Sequence, residues 1–560
     1  MSLDPQVDYL IPEETVRVAQ AAFPHPTLYM RMRDALGPLY SDQAFTQLFP
    51  ARGQPAIAPA RLALILVMQM VENLSDREAA DAVRGRIDWK YALALELTDP
   101  GFDASVLSEF RARLIAADPD QMLLKPMLTL LREQGLLKAA GRVRTDSTHV
   151  LAAVRILNRL TCVGETLRHA LNVLAEQAPA WLRSQITPEW FERYSRRVEE
   201  YRLPKTEAER AALAATIGTD GVHLLTAIYS PSAPAELRST PAVEVLRQVW
   251  VQQYYAPDDT GVVRWRSEKD LPPGALLIVS PYDVEARLSA KRGLVWNGYK
   301  VHLTETCDEE DPHLLTHVAT TLATTPDEHA LPSIHAALAA NEILPRQHIV
   351  DRGYVDSEQL VESQTGYGIE VLGPVPGDQS WQARAAKGFE SSYFAVDWDA
   401  QSVICPAGSK SKVWEHTVDR HGKPVVHIAF DQARCESCSS RADCTHSVTS
   451  GRALTLRPRE QHVALQAARQ RQTTTEFKEQ YARRAGIEGT LSQGIRAFEL
   501  RQTRYIGLAK THLQHILIAI AINLVRVVNW LQDITRAKTR QSHFAALAFS
   551  RPMASLAGWG

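Results

Sequence analysis

VRTDSTHV at 143–150 and HIVDRGYVD at 348–356 read alike: each holds a short strand-like run that carries one aspartate, Asp146 in the first and Asp351 in the second. In GRVRTDSTHV the β-branched residues alternate around Asp146, which is strand periodicity. Gln347 to Val350 is a strand that runs straight into Asp351, and Gly353 permits a tight turn that leaves the carboxylate at the strand's end. Working outward, LLIVS at 276–280 and LVWNGYKVHLTE at 294–305 return to strand character on either side of DVEARLSAKRG, a hairpin connection. Residues 314–323 alternate again, 327–340 and 356–363 are helical, and 369–372 is a further strand. This order of strand, strand, strand, helix, strand predicts a mixed sheet in which the first strand and the strand after the first helix lie side by side. Asp146 and Asp351 then meet, although roughly 200 residues separate them, because an inserted unit with neighbouring ends costs little closure entropy.

A chain of 560 residues is long enough for two to four structural units. Residues 1–140 are rich in Ala, Leu and Arg at helical spacing. Pro50, Pro55 and Pro59 precede a helix from Ala60 to Glu72, Ser75 with Glu78 forms a capping box opening Asp76 to Arg84, and Asp103 or Ser105 caps a helix ending near Leu114. Two short helices and a turn suit DNA reading, with Arg77, Arg84, Arg86, Lys90, Arg111 and Arg113 as contacts or as ordinary surface charges. The catalytic core is expected over 141–151 and 275–373, interrupted by a helical insertion at 152–274. A cysteine-rich insertion occupies 374–459, C-terminal helices 460–535, and a tail 536–560.

The formal charge is only -2, but Gly451 to Gly560 holds 17 Lys and Arg against 6 Asp and Glu, so the basic character is concentrated at one end. The N-terminus has no charged leader followed by an apolar core, which predicts a cytoplasmic protein. Ile516 to Ile522, closed off by Asn523 and Arg526, is too short for a membrane span and reads as a buried helix.

Within the basic end lies YARRAGIEGTLSQGIRAFELRQTRYIGLAKTHLQHILIAIAIN at 481–523, expected as a helical run. Spacings of three and four put Tyr481, Arg484 and Glu488 on one face. Asp146, Asp351 and Glu488 form a candidate set of oxygen ligands for Mg²⁺ or Mn²⁺, and two such ions suit in-line displacement at phosphorus. Arg484 and Tyr481 are placed to hold phosphates, and Arg501, Arg504 and Lys510 to contact DNA backbone, surface solubility being the competing role of each. His512, Gln514 and Asn523 suit hydrogen bonds within a buried helix, and Trp296, Tyr299 and Lys300 either approach DNA or belong to the core. Cys405, Cys435, Cys438 and Cys444, spaced C-x29-C-x2-C-x5-C, suit a closed structural Zn²⁺ site, with His446 a possible replacement and a reduced, metal-free loop the alternative.

These motifs, with the CxxC-bearing insertion and SDREAADAVRGRIDWKYALALEL near the N-terminus, resemble the DDE transposases of bacterial insertion sequences, in particular the group numbered eleven eighty-two within the IS-four and IS-five assemblage. The resemblance implies an α/β protein with an RNase H-like mixed-sheet core, Asp146, Asp351 and Glu488 as metal ligands, and a helical N-terminal domain that binds terminal inverted repeats. It implies cleavage by water at the element's ends and attack of the freed 3′-hydroxyl on target DNA, by a homodimer or higher oligomer associated with the nucleoid and not with a membrane. The related signature often places Lys seven residues after the Glu; Ile495 stands here, with Arg496 beside it as a DNA-binding candidate. A catalytically silent DNA-binding relative and a nuclease without strand transfer share these features, and retention of all three acids favours activity.

Overall fold

The computed structural model describes residues 2–6, 8–50, 52–257, 262–385 and 388–534; the tail expected at 536–560 lies outside them. Its centre is a six-stranded mixed sheet of β1 (Arg142–Leu151), β2 (Arg287–Lys291), β3 (Leu294–Thr306), β4 (Leu315–Leu322), β5 (Gln347–Val350) and β6 (Glu370–Leu372). The order is β2-β3-β1-β5-β6, with β4 also on β3. β1 runs antiparallel to β3 and parallel to β5, so the anticipated neighbours are adjacent, with Thr145 opposite Val350. All four residues of β5 are buried, as a central parallel strand requires.

The N-terminal helices share one hydrophobic core with this sheet. The helix Leu508–Trp530 packs on β4 and on the helix Pro59–Glu72, and its Ile516–Ile522 segment is fully buried. By length and composition this helix and Glu207–Tyr229 could each cross a membrane, yet 83% of the apolar window in the former is buried inside the protein. Asn523 fixes it to the sheet edge, accepting from Leu315 N–H and donating to Leu315 O. Residues 160–278 carry a separate helical core around Leu167, Leu224, Leu246 and Trp250. A third small core, around Val403, Val426, Ile428 and Phe430, lies between a three-stranded and a two-stranded sheet.

Three expectations are corrected. DVEARLSAKRG at 283–293 is not merely a connection, because its Arg287–Lys291 is β2, paired with Leu294–Gly298 of β3. LLIVS at 276–280 is not a strand: Gln252 accepts from Ile278 N–H and donates to Leu276 O, supplying from a helix side chain what a neighbouring strand would give. The 481–523 segment is not one helical run. One helix ends at Ala482, a 3₁₀ turn covers Arg483–Ala485, a second helix spans Gly486–Phe498, and the chain breaks before Leu508. The break follows from Glu499 in the left-handed region (φ 50°), which turns Leu500 back so that its N–H bonds Gly494 O. Residues 501–503 then lie along β1, with Leu151 bonded to Arg501 O and to Thr503 N–H.

Candidate active site

Asp146 projects from β1 on the same side as Arg144, two residues before it. Arg144 lies beneath the start of the helix Gly486–Phe498: it donates to Arg483 O at 2.5 Å, and a side chain on Gly486 would collide with its guanidinium. Arg144 and Arg526 both pair with Glu305 of β3, at 2.7 and 2.8 Å, and Thr490 Oγ1 donates to the same carboxylate at 2.6 Å. Glu305 is fully buried; although burial opposes its charge, Arg526 and Arg144 hold its carboxyl below the usual range. This node fixes Gly486–Phe498 against the sheet and so positions Glu488.

Arg484 lies at the centre of the three acids. Its Nη2 donates to Asp146 Oδ2 at 2.6 Å and its Nη1 to Glu488 Oε1 at 3.2 Å, while its Nε has no partner among the described residues. Asp351, at the end of β5, accepts from Gly353 N–H at 2.9 Å and adds negative charge at both Asp146 and Arg484. Burial pushes the Asp146 carboxyl up to about 6, against the pull of Arg484 and the Ser147 N–H. Tyr481 is half-buried and stacked on Phe477 at 5.5 Å, its hydroxyl raised by burial and by the same three acids despite Arg484. A fourth carboxylate, Asp327, completes the rim. It accepts from Lys300 Nζ at 2.8 Å and approaches Lys291 Nζ at 3.8 Å, and a Cβ on Gly353 would lie 3.2 Å from Asp327 Oδ2 and 3.1 Å from Asp351 Oδ1.

Among the described residues no group of three or more His, Cys, Asp or Glu is closed to metal-ligand spacing. At the acids the Arg484 guanidinium lies between Asp146 and Glu488. The donor set itself suits a hard divalent ion: carboxylate oxygens, one of them on a buried group whose charge is under-compensated.

Other sequence-predicted residues separate by whether the fold uses them. Arg504 donates to Leu74 O at 2.7 Å and to Asn73, tying the segment between Gly486–Phe498 and Leu508–Trp530 to the N-terminal helices, and Arg501 donates to Thr148 Oγ1 at 2.8 Å. Arg496 and Lys510 are exposed. In the N-terminal helices Arg84, Arg86, Lys90, Arg111 and Arg113 bind Asp81, Asp88, Asp99 O, Asp76 and Leu48 O, leaving Arg77 exposed on the helix Asp76–Gly85, whose capping box is formed as read. His512 meets Asp120 and Gln514 meets Gln502 O. Trp296 and Tyr299 are buried, and Lys300 faces Asp327.

Cys405, Cys435, Cys438 and Cys444 all line one cavity of about 40 Å³, together with Arg434, Arg441 and Arg452. Ser409 N–H points at Cys405 Sγ at 3.3 Å; burial, with the other three cysteines, raises the Cys444 thiol. His446 is turned away and stacked on Trp381 at 4.0 Å. Sequence reasoning missed Asp327, Lys291 and the Glu305 node. A single acid in a 3₁₀ turn and a single acid inside a strand carry no local pattern.

Residues 17–113 match the family model Transposase domain (DUF772), and residues 404–528, which include Glu488 and the four cysteines, match Transposase DDE domain. No curated protein matches the chain. Together the two matches support a transposase of the IS4/IS5-like DDE type, a DNA-cutting class of enzyme that uses divalent metal.

Proposed function

We propose that this protein is a DNA transposase of the insertion-sequence group numbered eleven eighty-two, with an RNase H-like core that cleaves phosphodiesters at the element's ends and transfers the freed strand into target DNA. The observation that carries the reading is the convergence of Asp146, Asp351 and Glu488, from β1, the end of β5 and a distant helix, around the single guanidinium of Arg484. Asp146, Asp351 and Glu488 would hold the divalent ions, Mg²⁺ or Mn²⁺ and two in number, and the chemistry such ions would supply is activation of water and charge stabilisation at phosphorus.

The chain's own groups do the positioning. Asp146 sits on a rigid central strand, and Glu488 is set by the helix that Arg144 and Glu305 anchor. Arg484 places a planar guanidinium beside the acids, the donor fork suited to a phosphate. Tyr481, braced by Phe477, presents a hydroxyl or a ring face to the same phosphate. The partner is double-stranded DNA, first the terminal repeats and then the target, bound by a homodimer or larger assembly in the cytoplasm. The four thiols around one small cavity support a structural Zn²⁺ once they close on it.

The test is Mg²⁺-dependent cleavage and joining of labelled DNA carrying the sequences that flank the gene, comparing native protein with Glu488→Gln. Cleavage at a defined end followed by joining, lost in the variant, is the expected result. Binding without chemistry in the native protein points to the silent relative, and cutting without joining to a nuclease. For zinc, metal content that drops in Cys435→Ser/Cys438→Ser is expected, and equal content removes the assignment.

A further inference from the structure

Lys291 and Lys300 share Asp327, yet they belong to distant parts of one hairpin. Lys291 pairs with Leu294 across the β2–β3 turn, and Leu294 is six residues from Lys300. Six residues of strand span about 20 Å, a distance that two extended lysine side chains with the carboxylate between them just cover. At the base of the tip Gly298, at φ 151°, lies so close to β1 that a Cβ would be 2.2 Å from Val150 O, and no other residue fits. The hairpin tip thus reaches the rim that carries Asp327 and Asp351, close enough for Lys291 to act on the charge of Asp146.

The tip is tight and unusual in composition. Arg292 and Gly293 both have positive φ, 52° and 81°, the two-residue turn whose twist matches its strands. Lys291 and Arg292 are exposed at the turn, and Leu294 and Val295 beside them are 45% and 55% exposed. Behind them Trp296 is buried, packed on His149 at 5.6 Å and donating to Tyr299 O, so the tip stands on a fixed base. Two cations followed by two bare aliphatic side chains, held over a carboxylate centre, match a substrate with a polyanionic backbone and stacked apolar faces.

We propose that the Lys291–Val295 tip is a strand-separating wedge for the DNA end held at the triad. Lys291 and Arg292 grip phosphates beside the scissile bond, while Leu294 and Val295 pack against the opened terminal base pair. The proposal rests on the transposase reading and adds to it the element that opens the end.

The test uses full-length protein and duplexes carrying the element's end with 2-aminopurine at the terminal pair. Native protein raises the fluorescence on binding. Leu294→Ser/Val295→Ser binds with native affinity without that rise, and cuts a paired end roughly tenfold more slowly but a pre-mismatched end at the native rate. Lys291→Ala/Arg292→Ala binds both ends more weakly, its salt dependence reduced by about two phosphate contacts. The wedge is overturned if the apolar variant cuts paired ends at the native rate, if mismatching restores nothing, or if only self-association changes. A native protein that neither binds nor cuts the DNA sinks the transposase reading and the wedge with it; native cutting with an unaffected apolar variant sinks the wedge alone.

Discussion

Glu305, fully buried, and Asp146, partly buried, are carboxylates on neighbouring strands of one sheet, and the surrounding charges treat them oppositely. Glu305 meets Arg144, Arg526 and Thr490 and is held ionised below the usual carboxyl range. Asp146, from the next residue of β1 on Arg144's face, shares the one guanidinium of Arg484 with Glu488 and is pushed up to about 6. The first carboxylate is satisfied and serves as a joint. The second is short of positive charge, and a group in that state has affinity left for a cation from outside.

Breaking the joint has the largest expected effect. Glu305→Ala leaves the buried Arg144 and the partly buried Arg526 without a carboxylate, and the variant unfolds at lower denaturant with a loss of about 3–5 kcal/mol. An unchanged denaturation midpoint would mean that the Gly486–Phe498 helix is held by packing alone.

The opposite sign is expected at the site. A carboxyl whose folded-state value is raised, here from 3.8 to about 6, costs stability that is absent below the unfolded value and fully present above the folded one. Asp146→Asn removes that cost, so the metal-free variant is more stable than the native protein by about 1–3 kcal/mol at pH 7.5. The difference shrinks as pH falls from 6 towards 4. Denaturation curves in chelator at both pH values measure it, and a destabilised variant at pH 7.5 would show that Arg484 already satisfies Asp146.

The same contrast explains what was legible in the sequence. The two aspartates could be read because strand periodicity and a following glycine are local signals, and their meeting followed from the order of elements. Glu488 came from its spacing to Tyr481 and Arg484, which survived the 3₁₀ turn because the Arg484 to Glu488 step is itself close to one helical turn. The joint was not legible: Glu305 meets Arg144 across a β3–β1 register and Arg526 from 221 residues away, and nothing near any of the three marks the pairing. The partners of the N-terminal arginines were illegible for a related reason. Arg111 and Arg86 look like a basic face in sequence, but acids elsewhere in the same helical bundle take up their charge.

The smallest expected effect is the most specific. Thr490 Oγ1 donates to Glu305 and accepts from Arg526 Nη2, both at 2.6 Å, two residues after Glu488 on the same helix. Thr490→Val keeps the shape and removes the hydroxyl; Glu305 retains both arginines, so the loss of stability is about 1 kcal/mol. That hydroxyl also fixes the rotation of the helix that aims Glu488, and second-layer hydrogen bonds of this kind typically change metal affinity by about 10-fold or more. Calorimetric titration of Mg²⁺ or Mn²⁺ separates the two consequences. Weakened metal binding in a nearly native fold would show the joint acting on the site, and native affinity would confine Thr490 to holding the scaffold.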